Sequence, residues 1–162
     1  MTTADRVGAT AFATPSDLEV VVTRVVDAPR TLVFDCWTKP EHIAKWMLGP
    51  EGWSMPVCEI DLRPGGAWHF VWRLADGTEL EMHGLYREVS PPVRLVSTES
   101  WGGDWPETLN TLALSEKDGK TTIRTTVLYP SKEAREKALG TGMKEGWGAA
   151  YDRLDDYLPK IR

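Results

Sequence analysis

The stretch DLRPGGAWHFVWR, residues 61–73, decides the fold. A proline and two glycines end one segment and start another. In the new segment Trp68, Phe70 and Trp72 stand at every second position. Because successive side chains of a β-strand point to opposite faces, all three rings share one face of a strand. They either fill a closed core or line a space that another molecule fills.

The loop after this strand predicts how it pairs with the next one. A three-residue loop with glycine last, residues 75–77, is a common hairpin closure. It makes one face of the hairpin apolar, whereas a two-residue loop would place Glu81 and His83 among the tryptophans. The predicted pairs are Trp72 with Leu80, Phe70 with Met82, and Trp68 with Gly84.

The rest of the chain predicts an α+β domain built on an antiparallel sheet. Short connections between apolar, β-branched segments favour a meander over parallel units. The predicted strands cover residues 18–26, 53–60, 67–74, 78–89, 93–101, 108–116 and 120–129. Two short helices follow the first strand, and a long C-terminal helix has apolar residues every three or four positions. We therefore expect six to seven strands around that helix.

The same loop argument applies to the last hairpin. A three-residue loop over residues 117–119 would give one inner face to alternate residues of both strands. Those residues are Leu109, Thr111, Ala113, Ile123, Thr125 and Val127. The two threonines on this face favour a polar-lined space, since a dry core disfavours hydroxyl groups.

Composition narrows the function classes. The 162 residues include 41% hydrophobic residues and eight tryptophans, and the net charge is −5. No basic cluster indicates nucleic acid, and no apolar run reaches the roughly 18 residues of a membrane helix. Cys36 and Cys58 are expected to be buried free thiols of a cytoplasmic protein. Residues 1–16 are expected to be flexible and residues 17–162 to form a single domain, with exposed edge strands that make a homodimer plausible.

Five motifs in order carry a resemblance to a known family. They are DAPRTLVFDCWTKPEHIAKWMLGP, EIDLRPGGAWHFVWR, DGTE, HGLYREVSPPVRLV and EGWGAAYDRLDDYL, and the resemblance covers about residues 18–158. The chain resembles the START-like (SRPBCC) superfamily and, more closely, its Hsp90 ATPase activator homologues (AHSA1-like proteins). The resemblance implies the helix-grip fold, in which a curved sheet wraps around the C-terminal helix and encloses a cavity for apolar molecules. The eukaryotic co-chaperone has a further N-terminal domain that sixteen residues cannot replace, so an Hsp90-type chaperone is not the expected partner.

These arguments predict a binding site for a small apolar or aromatic molecule. Its residues would be Trp46, Trp53, Trp68, Phe70, Trp72, Met82, Tyr86, Thr111, Thr125, Met143 and Trp147. No catalytic residue, metal site or cofactor is predicted. Two alternatives remain: an interaction protein that modulates an Hsp90-type ATPase, and a polyketide cyclase-like or hydrolase-like enzyme. The enzyme would need a buried carboxylate or histidine in the cavity.

Several polar residues and glycines have competing interpretations. His69 and His83 are expected on the outer face, in solvent rather than on a metal, and His42 on the surface. Glu59 or Asp61 could reach the cavity mouth, but a turn cap or a salt bridge with Arg63 is the expected role of these residues. The helix-breaking glycines of the C-terminal region indicate close helix packing or a break, or else a deformable gate. These glycines are Gly142, Gly146 and Gly148.

Overall fold

The computed structural model describes residues 8–48, 51–103 and 105–161, which form one antiparallel sheet and four helices. The sheet order is β1-β2-β8-β7-β6-β5-β4-β3. The strands are β1 Thr10–Ala13, β2 Glu19–Val26, β3 Trp53–Ile60, β4 Ala67–Leu74, β5 Glu79–Ser90, β6 Arg94–Glu99, β7 Thr108–Lys117 and β8 Lys120–Leu128. The predicted α+β helix-grip architecture is confirmed.

Strand β1 is a correction to the expected flexible N-terminal segment. Thr10–Ala13 pair with β2, and Phe12 lies opposite Val22 and packs against the core. The segment TAFA is too short and too weakly patterned to read as a strand, but an open edge of β2 supplies its hydrogen bonds. Residues 1–7 of the same expectation lie outside the described residues.

The helices begin where the sequence supplies a signal for them. Pro40 occupies the first turn of the second helix, where its missing N–H costs nothing. The Ser131 hydroxyl accepts a hydrogen bond from the Ala134 N–H and caps the third helix. The helices are α1 Arg30–Thr38, α2 Pro40–Trp46, α3 Lys132–Leu139 and α4 Met143–Ile161. None of the described helices is long and apolar enough to cross a membrane.

The register of the β4–β5 hairpin is confirmed. Trp72 lies opposite Leu80, Phe70 opposite Met82, and Trp68 opposite Gly84. The Leu74 N–H donates to the Thr78 carbonyl oxygen at 2.8 Å, which closes the three-residue loop. The aromatic rings therefore share the inner face, which we define as the face of the sheet that packs against α4.

The register predicted for the β7–β8 hairpin is wrong. Lys117 pairs with Lys120, so the loop has two residues, Asp118 with φ 54° and Gly119 with φ 77°. Two left-handed residues form the tight turn whose twist matches the strands, and Asp-Gly favours it strongly. The shorter loop moves Thr111 to the outer face, opposite Thr126, and keeps Thr125 inside, opposite Leu112.

The C-terminal half of helix α4 packs against the inner face. Its buried residues are Ala150, Tyr151, Leu154 and Leu158. Arg24 of β2, only 3% exposed, forms ion pairs with Asp152 and Asp155 of the helix. Hydrophobic burial and the ion pairs of a buried arginine thus hold this half of the helix. The two cysteines are free, as predicted, with Cys36 buried and Cys58 half-buried.

Candidate functional site

Three aromatic rings of β4 lie side by side on the inner face, each in contact with the next. The ring centroids of Trp68 and Phe70 are 4.8 Å apart, and those of Phe70 and Trp72 are 5.9 Å apart. The Trp72 Nε1–H donates to the Met47 carbonyl oxygen at 2.8 Å, which ties the sheet to the end of α2. These contacts stabilise the fold, whatever else the rings do.

Trp68 differs from its neighbours because its polar atom has no partner. Its side chain is 5% exposed, and its Nε1–H is buried without a hydrogen bond. The atom lies above Gly84, where an added Cβ would be 2.8 Å from Nε1 and 1.9 Å from the Thr98 carbonyl oxygen. A buried donor without an acceptor costs free energy, and this N–H is such a donor on the inner face. The Nε atoms of Arg24 and Arg135 are also buried without a partner among the described residues.

Glu99 of β6 lies beyond Gly84 on the same face. The register of β5 against β6 places Glu99 across from Gly84. Its Oε1 accepts from the Trp101 Nε1–H at 2.9 Å, and its Oε2 accepts from the Asn110 amide at 2.5 Å. Burial raises the pKa of Glu99 to about 6, although both hydrogen bonds favour the charged form. Glu99 is the kind of carboxyl group that an acid–base role requires.

Further polar groups surround this carboxylate. The Thr108 hydroxyl donates to the Asn110 Oδ1 at 2.8 Å, which fixes the orientation of the amide. The Tyr129 hydroxyl points at the Met143 Sδ at 3.8 Å, a weak acceptor. Burial, with a smaller effect from the Glu99 charge, raises the pKa of Tyr129 to about 12. We call Trp68, Glu99, Trp101, Asn110 and Tyr129 the polar row.

The N-terminal half of α4 covers the sheet more loosely than the C-terminal half. Met143 and Trp147 pack against the core but are only partly buried. A Cβ added to Gly146 or Gly148 would meet nothing within 4 Å outside the local helix backbone. Close packing therefore does not explain these two glycines. Gly142, with φ 80°, is explained by the break between α3 and α4.

The structure assigns the remaining predicted site residues to different surroundings. Trp46 is fully buried, its Nε1–H donates to the Cys36 carbonyl oxygen at 2.8 Å, and it belongs to the core. Thr125 lies inside, with its Oγ1 3.5 Å from the Tyr151 hydroxyl. Thr111 is on the outer face. Of the others, Met82 and Tyr86 are buried on the inner face, and Trp53 is half-buried at the start of β3.

The two histidines of the β4–β5 hairpin lie on the outer face, as expected. His69 pairs with His83 and lies between Glu59 and Glu81, 3.4 Å and 2.9 Å away. Hydrogen bonding to these carboxylates raises the pKa of His69. No cluster of three metal-ligating side chains occurs among the described residues.

Two other expectations concern Asp61 and His42. Asp61 and Arg63 form the predicted salt bridge at 2.8 Å. His42 is half-buried rather than freely exposed, because its Nδ1 lies 2.6 Å from the Tyr157 hydroxyl of α4.

Neither of two surface cavities formed by described residues is lined by a predicted ligand-binding residue. One, of about 470 Å³, lies beside α2 and α4 and is lined by Lys45, Arg153, Asp156, Tyr157 and Lys160. The other, of about 260 Å³, borders the polar row at Tyr129; its other lining residues are Arg87, Thr98, Glu107, Thr108, Leu109, Leu128 and Pro130.

Comparison with known proteins identifies the family. The family model described as "Activator of Hsp90 ATPase homolog 1-like protein" matches residues 27–159. The chain belongs to this family. None of the curated proteins compared with the chain matches it.

Solved structures of bacterial relatives share the whole fold. A crystal structure from Rhodobacter sphaeroides is 26% identical, with a TM-score of 0.87, over 94% of this chain and 99% of that one. A protein from Nitrosomonas europaea is also 26% identical, with a TM-score of 0.80, over 91% and 97% of the two chains. Each similarity thus extends over nearly the whole of both chains.

Proposed function

We propose that this family member binds a small apolar or aromatic molecule between the inner face of the sheet and the N-terminal half of α4. The observation that carries the proposal is the buried Trp68 Nε1–H, which has no partner within the described protein. Ligand sites in general combine apolar walls with a few polar groups that fix orientation. Trp68, Phe70 and Tyr86 supply one wall, and Met143 and Trp147 supply the other.

The helix supports this proposal because its two halves differ. The C-terminal half is held by buried apolar residues and by the ion pairs of Arg24. The N-terminal half carries two large residues that are only partly buried, and two glycines at which an added Cβ would meet nothing within 4 Å outside the local helix. Glycine weakens a helix by about 1 kcal/mol relative to alanine, so this half deforms more easily. We infer that it acts as the gate through which the ligand enters.

Native mass spectrometry with fatty acids and planar aromatic compounds tests the proposal. We expect a one-to-one adduct that survives gentle ionisation and is lost on denaturation. Trp147→Arg should abolish the adduct, whereas Trp105→Arg, on an exposed tryptophan outside the proposed site, should retain it. Thermal unfolding of both variants verifies that they are folded.

An apo mass with every compound would contradict binding. It would favour an interaction role, which the family description associates with Hsp90 ATPase activation. An ATPase assay with and without the protein then tests that alternative. Loss of the adduct in both tryptophan variants would contradict the proposed location.

A further inference from the structure

Resting on the proposed function, we propose that Trp68 and Glu99 select a ligand that carries a hydroxyl group on its apolar body, such as a phenol. The hydroxyl oxygen would accept the hydrogen bond of the Trp68 Nε1–H. Its hydrogen would be donated to a carboxylate oxygen of Glu99. The ligand hydroxyl group would thus accept a hydrogen bond from Trp68 and donate one to Glu99.

The sheet places the two groups on either side of a gap. Trp68 belongs to β4 and Glu99 to β6, and Gly84 of β5 lies between them without a side chain. Two strand spacings separate their backbones by about 10 Å. The Trp68 indole covers part of that distance, since its Nε1 lies above Gly84. Because a Cβ on Gly84 would lie only 1.9 Å from the Thr98 carbonyl oxygen, the ligand hydroxyl group would lie farther from the sheet than that position, between Nε1 and the Glu99 carboxylate.

The chemistry of the pair disfavours three common polar groups on the ligand: a carboxylate, an ammonium group and an ether. A carboxylate on the ligand would be repelled by the Glu99 charge. An ammonium group would satisfy Glu99 but could not accept the Trp68 N–H, because it has no lone pair. An ether could accept from Trp68 but has no hydrogen for Glu99. A hydroxyl group both accepts and donates.

Glu99 is the group near this gap whose charge changes close to neutral pH. Tyr86 and Tyr129 face the gap from β5 and the end of β8, and burial raises the pKa of both phenols above the ordinary value of 10. One cation of α3 and one of α4 contact aromatic rings elsewhere: Lys137 Nζ lies 4.5 Å from the Trp105 ring centroid, and Lys144 Nζ lies 5.6 Å from that of Phe12. Glu145 of α4 is exposed.

Calorimetric titration with two probes tests the inference. The probes are 2-naphthol and 2-methoxynaphthalene, which share the apolar body and an oxygen acceptor but differ in the hydroxyl hydrogen. We expect 2-naphthol to bind roughly tenfold or more tightly at pH 7.5, because a hydrogen bond to a charged group is among the stronger ones. The preference should shrink at pH 5, where Glu99 is protonated.

Variants separate this inference from the proposed function. Glu99→Gln should remove most of the preference for 2-naphthol. Glu88→Gln, a matched change on the outer face of the neighbouring strand, should leave it intact. Equal binding of both probes to the wild type would overturn the hydroxyl inference and leave the proposed function standing. Binding of neither probe, nor of any compound in the adduct experiment, would overturn both.

Discussion

Folding disfavours the charged form of the Glu99 carboxyl group. Its carboxylate accepts two hydrogen bonds, yet burial raises its pKa to about 6 from an ordinary 4.5. The charged form is therefore less stable in the folded protein than in the unfolded chain. A glutamine of the same shape would avoid this cost, which is consistent with a binding role for the carboxylate.

The raised pKa of Glu99 predicts a pH dependence of stability. The folded state holds this proton more tightly, so its stabilising contribution is complete below about pH 4.5 and is lost as the pH rises through about 6. Relative to Glu99→Gln, the wild type should lose at most about 2 kcal/mol across that window, at about 1.4 kcal/mol per pKa unit. Urea unfolding of both proteins from pH 4 to pH 7.5 measures it. A constant difference would show that the carboxyl group is not desolvated.

Gly84 predicts a second effect at the residue scale. A Cβ there would lie 1.9 Å from the backbone oxygen of Thr98, which cannot move without displacing β6. Gly84→Ala should therefore destabilise the protein by at least roughly 1–3 kcal/mol, as overpacking does. Chemical denaturation gives the value. Unchanged stability would mean that β6 does not approach β5 this closely.

At the scale of elements, the two hairpins show what a sequence can and cannot predict. In β4 and β5 the apolar and polar faces are so distinct that only one register is acceptable. In β7 and β8 threonines and leucines suit either face, so the pattern could not decide. The Asp118-Gly119 pair is what distinguishes the two registers, because Asp-Gly favours a two-residue turn over the three-residue loop that we predict from the sequence.

The sequence did not predict the polar row either, because its members come together only in the observed register and strand ends. Asn110 falls on the inner face only in the correct register of β7. Glu99 stands near the end of a strand, where a charged residue usually indicates solvent. Its carboxylate accepts hydrogen bonds from Trp101, two residues later in the chain, and from Asn110 of β7, and strand periodicity cannot predict that these groups meet.

The glycines of α4 give a prediction for that helix. Gly146→Ala and Gly148→Ala should each stabilise the protein by up to about 1 kcal/mol, because alanine favours helix and the added methyl meets no neighbour outside the helix. The same changes should slow ligand association by stiffening the gate. Unfolding curves and stopped-flow fluorescence measure the two effects. A loss of stability would contradict the open space described beside these residues.

At the scale of the whole molecule, the sheet packs closely against the C-terminal half of α4 and less closely against its N-terminal half. Amides of residues 143–149 should exchange with solvent faster than those of residues 150–158, because local opening follows local packing. Bound 2-naphthol should slow the first group and leave the second unchanged. Hydrogen exchange read by mass spectrometry resolves the two groups. Uniform protection along α4 would show that the helix has no gate.

The central claim is that a small molecule binds beside Trp68, and nuclear magnetic resonance tests it most directly. Each of the eight tryptophans gives one indole N–H signal, and Trp68→Phe assigns the signal of interest. On titration with 2-naphthol, the account predicts a large, saturable shift of the Trp68 signal. The signal of Trp46, whose N–H donates to the backbone, should stay fixed. A Trp68 signal that does not move at saturating ligand would contradict the account.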